Sequence, residues 1–289
     1  MSKNSIDITT DSACDLTQQI AEENDIDIIR FYVITESGSF RDFDEITSQN
    51  VVEYYENGGE ILMTDEPSVE EYAEFFRKHL SHCSELIHIA VSSGVSESYD
   101  RAMMALGQLG EDSKRVHVVD SHSLSTGTAL LVLKAAEMRN GGSEAKTIVL
   151  AIESMREKLN VSFISRNPAQ MYRNGLMGRT AERFCDLLHL HPVFSVRHGK
   201  VVVSGVGFGN MEKCAVRYIR HGLKHTSDID TSLLFITHAG FSVGLINEVR
   251  AEIDSIVKFD EVSVTDASAT IAANCGSQTI GLLYLRKLS

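Results

Sequence analysis

The sequence predicts an α/β protein with a parallel-sheet N-terminal domain, helices on both faces of that sheet, and a smaller α+β C-terminal domain. Three observations carry that prediction. Short apolar runs alternate with helix-period segments through the first half, the pattern of strands that return in one direction by way of helices. The second half carries a hairpin pattern, which implies antiparallel pairing. The charge also differs between the halves: residues 1–160 hold 29 Asp/Glu against 13 Lys/Arg, and residues 161–289 hold 11 against 14. At 289 residues the chain can bury two cores, and we expect domains at 1–158 and 159–289.

Taken in order, "SIDITT" leads to the helical pattern "DLTQQIAEEN", and "DIDIIRFYVI" follows as an apolar, strand-like run. "LIHIAVSS" then leads into "SYDRAMMALGQL", and "RVHVVDS" into "TGTALLVLKAAEMRNGG". The paired glycines of "MRNGGS" stop that helix, "EAKTIVLAIESMREKLN" reads as another, and "VSFIS" at 161–165 opens the second domain as a strand. In "HPVFSVRHGKVVVSGV" two strand-like pieces flank the glycine-containing polar turn "RHGK". "SLLFITHAG", a helix from about Phe241 to Ile253, "EVSVTD" and "TIGLLYL" complete the chain.

A net charge of −13 opposes nucleic acid or an anionic membrane as the main partner. The start lacks a secretory pattern, and no run of apolar residues is long enough to cross a bilayer, so the expectation is a cytoplasmic protein without membrane insertion. Cys14, Cys83, Cys185, Cys214 and Cys275 form no C-x-x-C pair and read as buried, reduced thiols. His79, His82, His88, His189 and His191 have no carboxylate or thiol partner at a ligand spacing, so no metal or cofactor is expected.

In the first half the strand-like segments give way to helices through hydroxyl and acid residues: "TTDSACDLTQQ", "MTDEPSVEEYAEFF", "SSGVSESYDRA" and "VDSHSLSTGTALL". Such residues cap helices. They also stand where open α/β sheets bind ligands, beyond the carboxyl ends of the strands, where helix N-termini offer unpaired N–H groups. No Lys or Arg lies in residues 63–76, and only Arg101 stands near the serine turn. A polyphosphate would lack the cations it recruits, whereas hydroxyls and helix dipoles suffice for one carboxylate. The pattern points to a monoanion site.

Together and in this order, "TDSACDL", "TDEPSVEEY", "SSGVSESYDRA", "VVDSHSLSTGTALLV" and "GLMGRTAERFCDLLHLHPVF" resemble the DegV family of bacterial fatty-acid-binding proteins, nearly end to end. The resemblance implies two domains holding one long-chain fatty acid in a tunnel, with the carboxylate bound by Thr64 and by Ser93 or Ser96. It also implies a non-catalytic protein that, in some relatives, presents the acid to a separate fatty-acid kinase subunit. Three positions depart from the family pattern: Asn274 stands where relatives carry a histidine near the carboxylate, Leu176 where an arginine is linked to kinase engagement, and Phe208 where an arginine is common. Asparagine donates a hydrogen bond but takes up no proton, so the binding role survives these changes better than the phosphorylation role.

His238, at the end of the strand-like "SLLFITHAG", and Met63 are further candidates to line the site. The glycine-rich "GVGFGN" lacks the spacing of a dinucleotide-binding turn. An alternative reading is a serine esterase with Ser93 or Ser96 as nucleophile, but "SSGVSES" lacks the G-x-S-x-G elbow. A carrier of another small carboxylate is a further alternative.

Overall fold

Four apolar runs of the first half pair side by side in one direction, as their alternation with helices requires. The computed structural model describes residues 5–60, 62–173, 175, 178, 179, 185 and 188–287. In chain order the first half contains β1 (Ile6–Asp11), α1 (Gln18–Glu23), β2 (Ile26–Ile29), β3 (Tyr32–Thr35), β4 (Gly38–Arg41), α2 (Ser48–Glu56), β5 (Met63–Asp65), α3 (Val69–Leu80), β6 (Glu85–Ala90), α4 (Ser98–Leu106), β7 (Val116–Asp120), α5 (Thr126–Asn140) and α6 (Ala145–Met155). The second contains β8 (Leu159–Ser165), α7 (Pro168–Arg173), β9 (Leu190–Arg197), β10 (Lys200–Phe208), α8 (Met211–Gly222), β11 (Ile229–Ala239), α9 (Val243–Ile256), β12 (Glu261–Asp266), α10 (Ala269–Cys275) and β13 (Thr279–Arg286).

The first sheet runs β2-β1-β6-β7, parallel throughout. The second runs β10-β9-β8-β13-β11-β12 and is antiparallel except between β11 and β12. Both the alternation of the first half and the hairpin of the second are therefore present.

The apolar run "DIDIIRFYVI" is divided. The Phe31 N–H donates to the Ser12 hydroxyl at 3.0 Å, and its carbonyl accepts the Asp42 N–H at 2.9 Å. With its backbone so engaged, the chain leaves the parallel sheet after β2, and β3 joins a small antiparallel sheet in the order β4-β3-β5. That sheet brings Thr64 over the carboxyl ends of the parallel strands.

Helix α5 lies between the two large sheets. One side, with Leu131, Val132 and Ala135, packs against Ile8, Ile87 and Val119. Leu130 on another side meets Val161, Phe235 and Leu283 of the second sheet. A Cβ at Gly127 would come within 2.5 Å of Val161 and 2.3 Å of the Ser123 hydroxyl, so glycine is what permits this approach of helix to sheet.

Candidate functional site

The loops that follow β1, β6 and β7 meet at one end of the parallel sheet, and there the structure encloses two cavities. The outer one, of about 120 Å³, takes Ala13, Val91, Ser96 and Leu124 from these loops. Thr64 and Glu66 close it from β5 and the turn after it, Phe163 and Val201 from the second sheet, and Ile271 and Asn274 from α10. The inner cavity, of about 30 Å³, lies between the second sheet, α10 and the residues that lead into α5. Leu124, Phe163, Ile271 and Cys275 line both and form the wall between them.

The accessible lining of the inner cavity is almost wholly apolar, although several hydroxyl residues border it. Each hydroxyl is spent on the wall. Ser125 donates to Asp15. Ser162 is bonded to the Tyr218 hydroxyl at 2.8 Å, and Thr237 to Thr126 at 2.6 Å and Thr265 at 3.0 Å. The one Thr279 hydroxyl proton is shared between the Ser165 hydroxyl and the Cys275 carbonyl, each 2.9 Å away. Burial lowers the pKa of His238 more than Asp266 raises it, which keeps that imidazole neutral at the inner cavity. Burial likewise pushes the Cys275 thiol up to about 12. What remains facing inward is hydrocarbon, neutral sulfur and the neutral His238 imidazole.

The outer cavity has a polar end. The Asn274 amide donates to the Thr64 hydroxyl at 3.0 Å and to the Thr270 carbonyl at 2.9 Å. The Ser96 hydroxyl donates to Glu66 Oε1 at 2.6 Å, and the Glu97 N–H donates to the same oxygen at 3.1 Å. The residue before α4 thus gives its N–H to a carboxylate of the protein's own, where the sequence pattern reserves helix N-termini for a ligand anion. Arg101 lies 3.6 Å from Glu66 Oε2, and also pairs with Asp65 at 2.9 Å and Glu97 at 3.0 Å.

The structure brings Thr64, Ser96 and Asn274 to one cavity and leaves Ser93 out of its lining. Ser93 is exposed, and its hydroxyl donates to Asp120 at 2.5 Å. Neither serine hydroxyl is bonded to a histidine among the described residues, the pairing a nucleophilic serine requires. Ser92, at the start of the same turn, donates to the Gly199 carbonyl at 2.8 Å and so ties the turn to the tip of the β9–β10 hairpin. Met63 projects from β5 with 67% of its surface exposed and does not line the cavity. Phe208 is 68% exposed at the end of β10, and Leu176 lies outside the described residues.

Glu66 lines the cavity although the sequence did not single it out. It stands in "TDEPSVEEY", whose hydroxyls and capping pattern drew attention; Ser68 and Glu71 do form the capping box of α3. Glu66 differs from those neighbours in pairing with Ser96, 30 residues away.

Far from the cavity, His79 and His82 do have a carboxylate partner. Asp7 Oδ2 lies 2.7 Å from His79 Nδ1 and 2.9 Å from His82 Nε2, and Asp27 lies 3.3 Å from His79 Nε2. Asp7 comes from β1, which the spacing along α3 could not reveal. Burial disfavours a charged His79, but the bonds with Asp27 and Asp7 outweigh it and hold its pKa up at about 9. Asp7, His79 and His82 thus place ligand-type atoms within 4.8 Å of one another, a grouping that the spacing of the histidines alone does not show.

A family profile described as "Uncharacterised protein, DegV family" matches residues 5–287. A DegV domain-containing protein of Deinococcus radiodurans is 26% identical, over 96% of this chain and 97% of its own. Among solved structures, a DegV family protein of Thermus thermophilus described as binding fatty acid has a TM-score of 0.86 at 24% identity, covering 98% of this chain and 100% of its own. A DegV family protein of Eubacterium eligens loaded with heptadecanoic acid has a TM-score of 0.85 at 18% identity, with the same coverage. The profile match spans nearly every residue, and the two-sheet architecture is shared: this chain belongs to the DegV family.

Proposed function

We propose that this protein is a non-catalytic carrier of one long-chain fatty acid, with the head group at the polar end formed by Thr64, Glu66, Ser96 and Asn274 and the tail in the cavity beyond. The observation that carries this reading is the change of lining across a single wall. On the outer side hydroxyl, amide and carboxylate groups converge; on the inner side every bordering hydroxyl is turned away. A ligand matched to both is a single-chain amphiphile. Each buried methylene contributes about 0.8 kcal/mol, so the tail supplies most of the affinity and the polar contacts fix its direction.

The likeness to DegV proteins described as binding fatty acids supports the reading. A long tail running through both cavities displaces the Leu124, Phe163, Ile271 and Cys275 side chains that separate them. In this reading residues 1–158 supply Thr64 and Ser96, and residues 159–289 supply Phe163, Ile271 and Asn274 as a second domain. Ser93 holds Asp120 and has no part in head-group binding. Presentation to a separate fatty-acid kinase needs no catalytic group here, but Asn274 takes up no proton and favours holding over hand-over.

Native mass spectrometry tests the proposal. The protein as purified is expected to carry one adduct of fatty-acid mass, and delipidated protein to regain it from added hexadecanoic acid. Delipidated protein that takes up no acid contradicts it.

A further inference from the structure

We propose that the polar end of the cavity selects a head group that is uncharged and donates a hydrogen bond, so that a long-chain acid enters in its protonated form and a single-chain alcohol binds as well. This rests on the reading of the cavity as a single-chain lipid site, and it concerns what that site accepts at its polar end.

Glu66 is the one charged residue lining the outer cavity among the described residues, and its side chain is only 17% exposed. Among the described residues no lysine, arginine or histidine lines that cavity. The nearest cation, Arg101, is shared by Asp65, Glu66 and Glu97, three carboxylates on one guanidinium. Of the other titratable groups at this end of the cavity, the Cys275 thiol is held protonated by burial, the buried Tyr72 phenol, raised well above its usual range by burial, donates to Asp11, and Lys200 packs its stem by Gly94 of the serine turn without lining the cavity. A second carboxylate entering beside Glu66 meets a like charge in a poorly solvated space, where two ionised carboxyls oppose each other and one takes up a proton.

The hydrogen-bond inventory points the same way. An anion needs donors, and the donors here are committed. The Ser96 hydroxyl and the Glu97 N–H already serve Glu66, and the Asn274 amide protons serve Thr64 and Thr270. The Thr64 hydroxyl, which accepts from Asn274, keeps its own proton for the cavity. Against the Thr64 donor stands a carboxylate with further acceptor capacity; the other hydroxyl of the lining, Thr270, is buried and stabilises the Asp42 charge. A protonated acid or a primary alcohol gives its proton to Glu66 and accepts from Thr64; an ionised acid can do only the second.

The test is calorimetric titration of the delipidated full-length protein with dodecanoic acid and dodecan-1-ol at about pH 6 and about pH 8.5, where the linked proton makes acid affinity fall about tenfold per pH unit. The alcohol is expected to bind equally at both pH values, and to outbind the acid at the higher one. Glu66→Gln, which keeps the shape and removes the charge, is expected to flatten the pH dependence of acid binding and to strengthen it at the higher pH. Acid affinity that is independent of pH and exceeds that of the alcohol in the wild-type protein overturns the proposal, whether or not the variant folds. If neither ligand binds at either pH, the lipid reading itself fails and this inference falls with it.

Discussion

The Asn274 amide and the Thr64 hydroxyl, 210 residues apart in the chain, meet at 3.0 Å where the last helix closes over the small sheet. That bond occupies one lone pair of the Thr64 oxygen and leaves its proton to be donated to a ligand. Thr64→Ala removes the donor, and Asn274→Ala removes what orients it. Each is expected to weaken fatty-acid binding about 3- to 10-fold, the worth of one hydrogen bond, and the double variant to lose less than the product. Displacement titration checks this, with thermal melting as the control for folding.

His79 makes stability depend on pH in the alkaline range. Its folded pKa of about 9 lies above the unfolded value of 6.5, so its contribution is full below about 6.5 and is lost as pH rises through about 9. The effect is of order 2 kcal/mol, after allowing for the half-exposed Asp27 carboxylate. Urea denaturation of the wild-type protein and His79→Gln at about pH 6.5 and pH 9.5 should show the gap between them closing at the higher pH.

Asp15 acts in the opposite sense to an ordinary ion-paired carboxylate. It is fully buried; burial raises its pKa to about 7 although Ser125 and the Ser268 N–H stabilise its charge, and Asp42 nearby adds to the rise. A folded pKa above the unfolded 3.8 means that the folded state holds the proton more tightly, so stability falls as pH rises from about 4 to about 7. Asp15→Asn removes this titration. Its stability relative to wild type is expected to improve by about 2–4 kcal/mol between pH 4 and pH 8 in denaturant titrations.

How much of this is legible in the sequence follows from the range over which each feature acts. The alternation of strand and helix is local, and it gives the parallel sheet, the β9–β10 hairpin and the carboxyl-end location of the site. The small sheet is not local: β3 leaves the parallel sheet because Ser12 and Asp42 engage Phe31. The acids of "TDSACDL" read as caps for the helix that follows. Instead Asp15 accepts the Ser268 N–H, 253 residues away, and Asp42 accepts that of Ala269, so the two carboxylates hold the start of α10 from another part of the chain. Thr64 and Ser96 stand out by position at strand ends, but nothing in a sequence tells that the Ser96 proton goes to Glu66 and that of Ser93 to Asp120.

The central claim is that an acyl tail runs from the polar mouth past Ile271 into the apolar cavity. Ile271→Trp fills the wall common to both cavities and leaves the head-group side chains themselves unsubstituted. Titrating delipidated wild-type and variant protein with hexadecanoic acid, after melting curves show both folded, tests the claim directly. The account predicts that the variant binds at least about tenfold more weakly, through the methylenes it can no longer bury; equal affinity in the two proteins would contradict it.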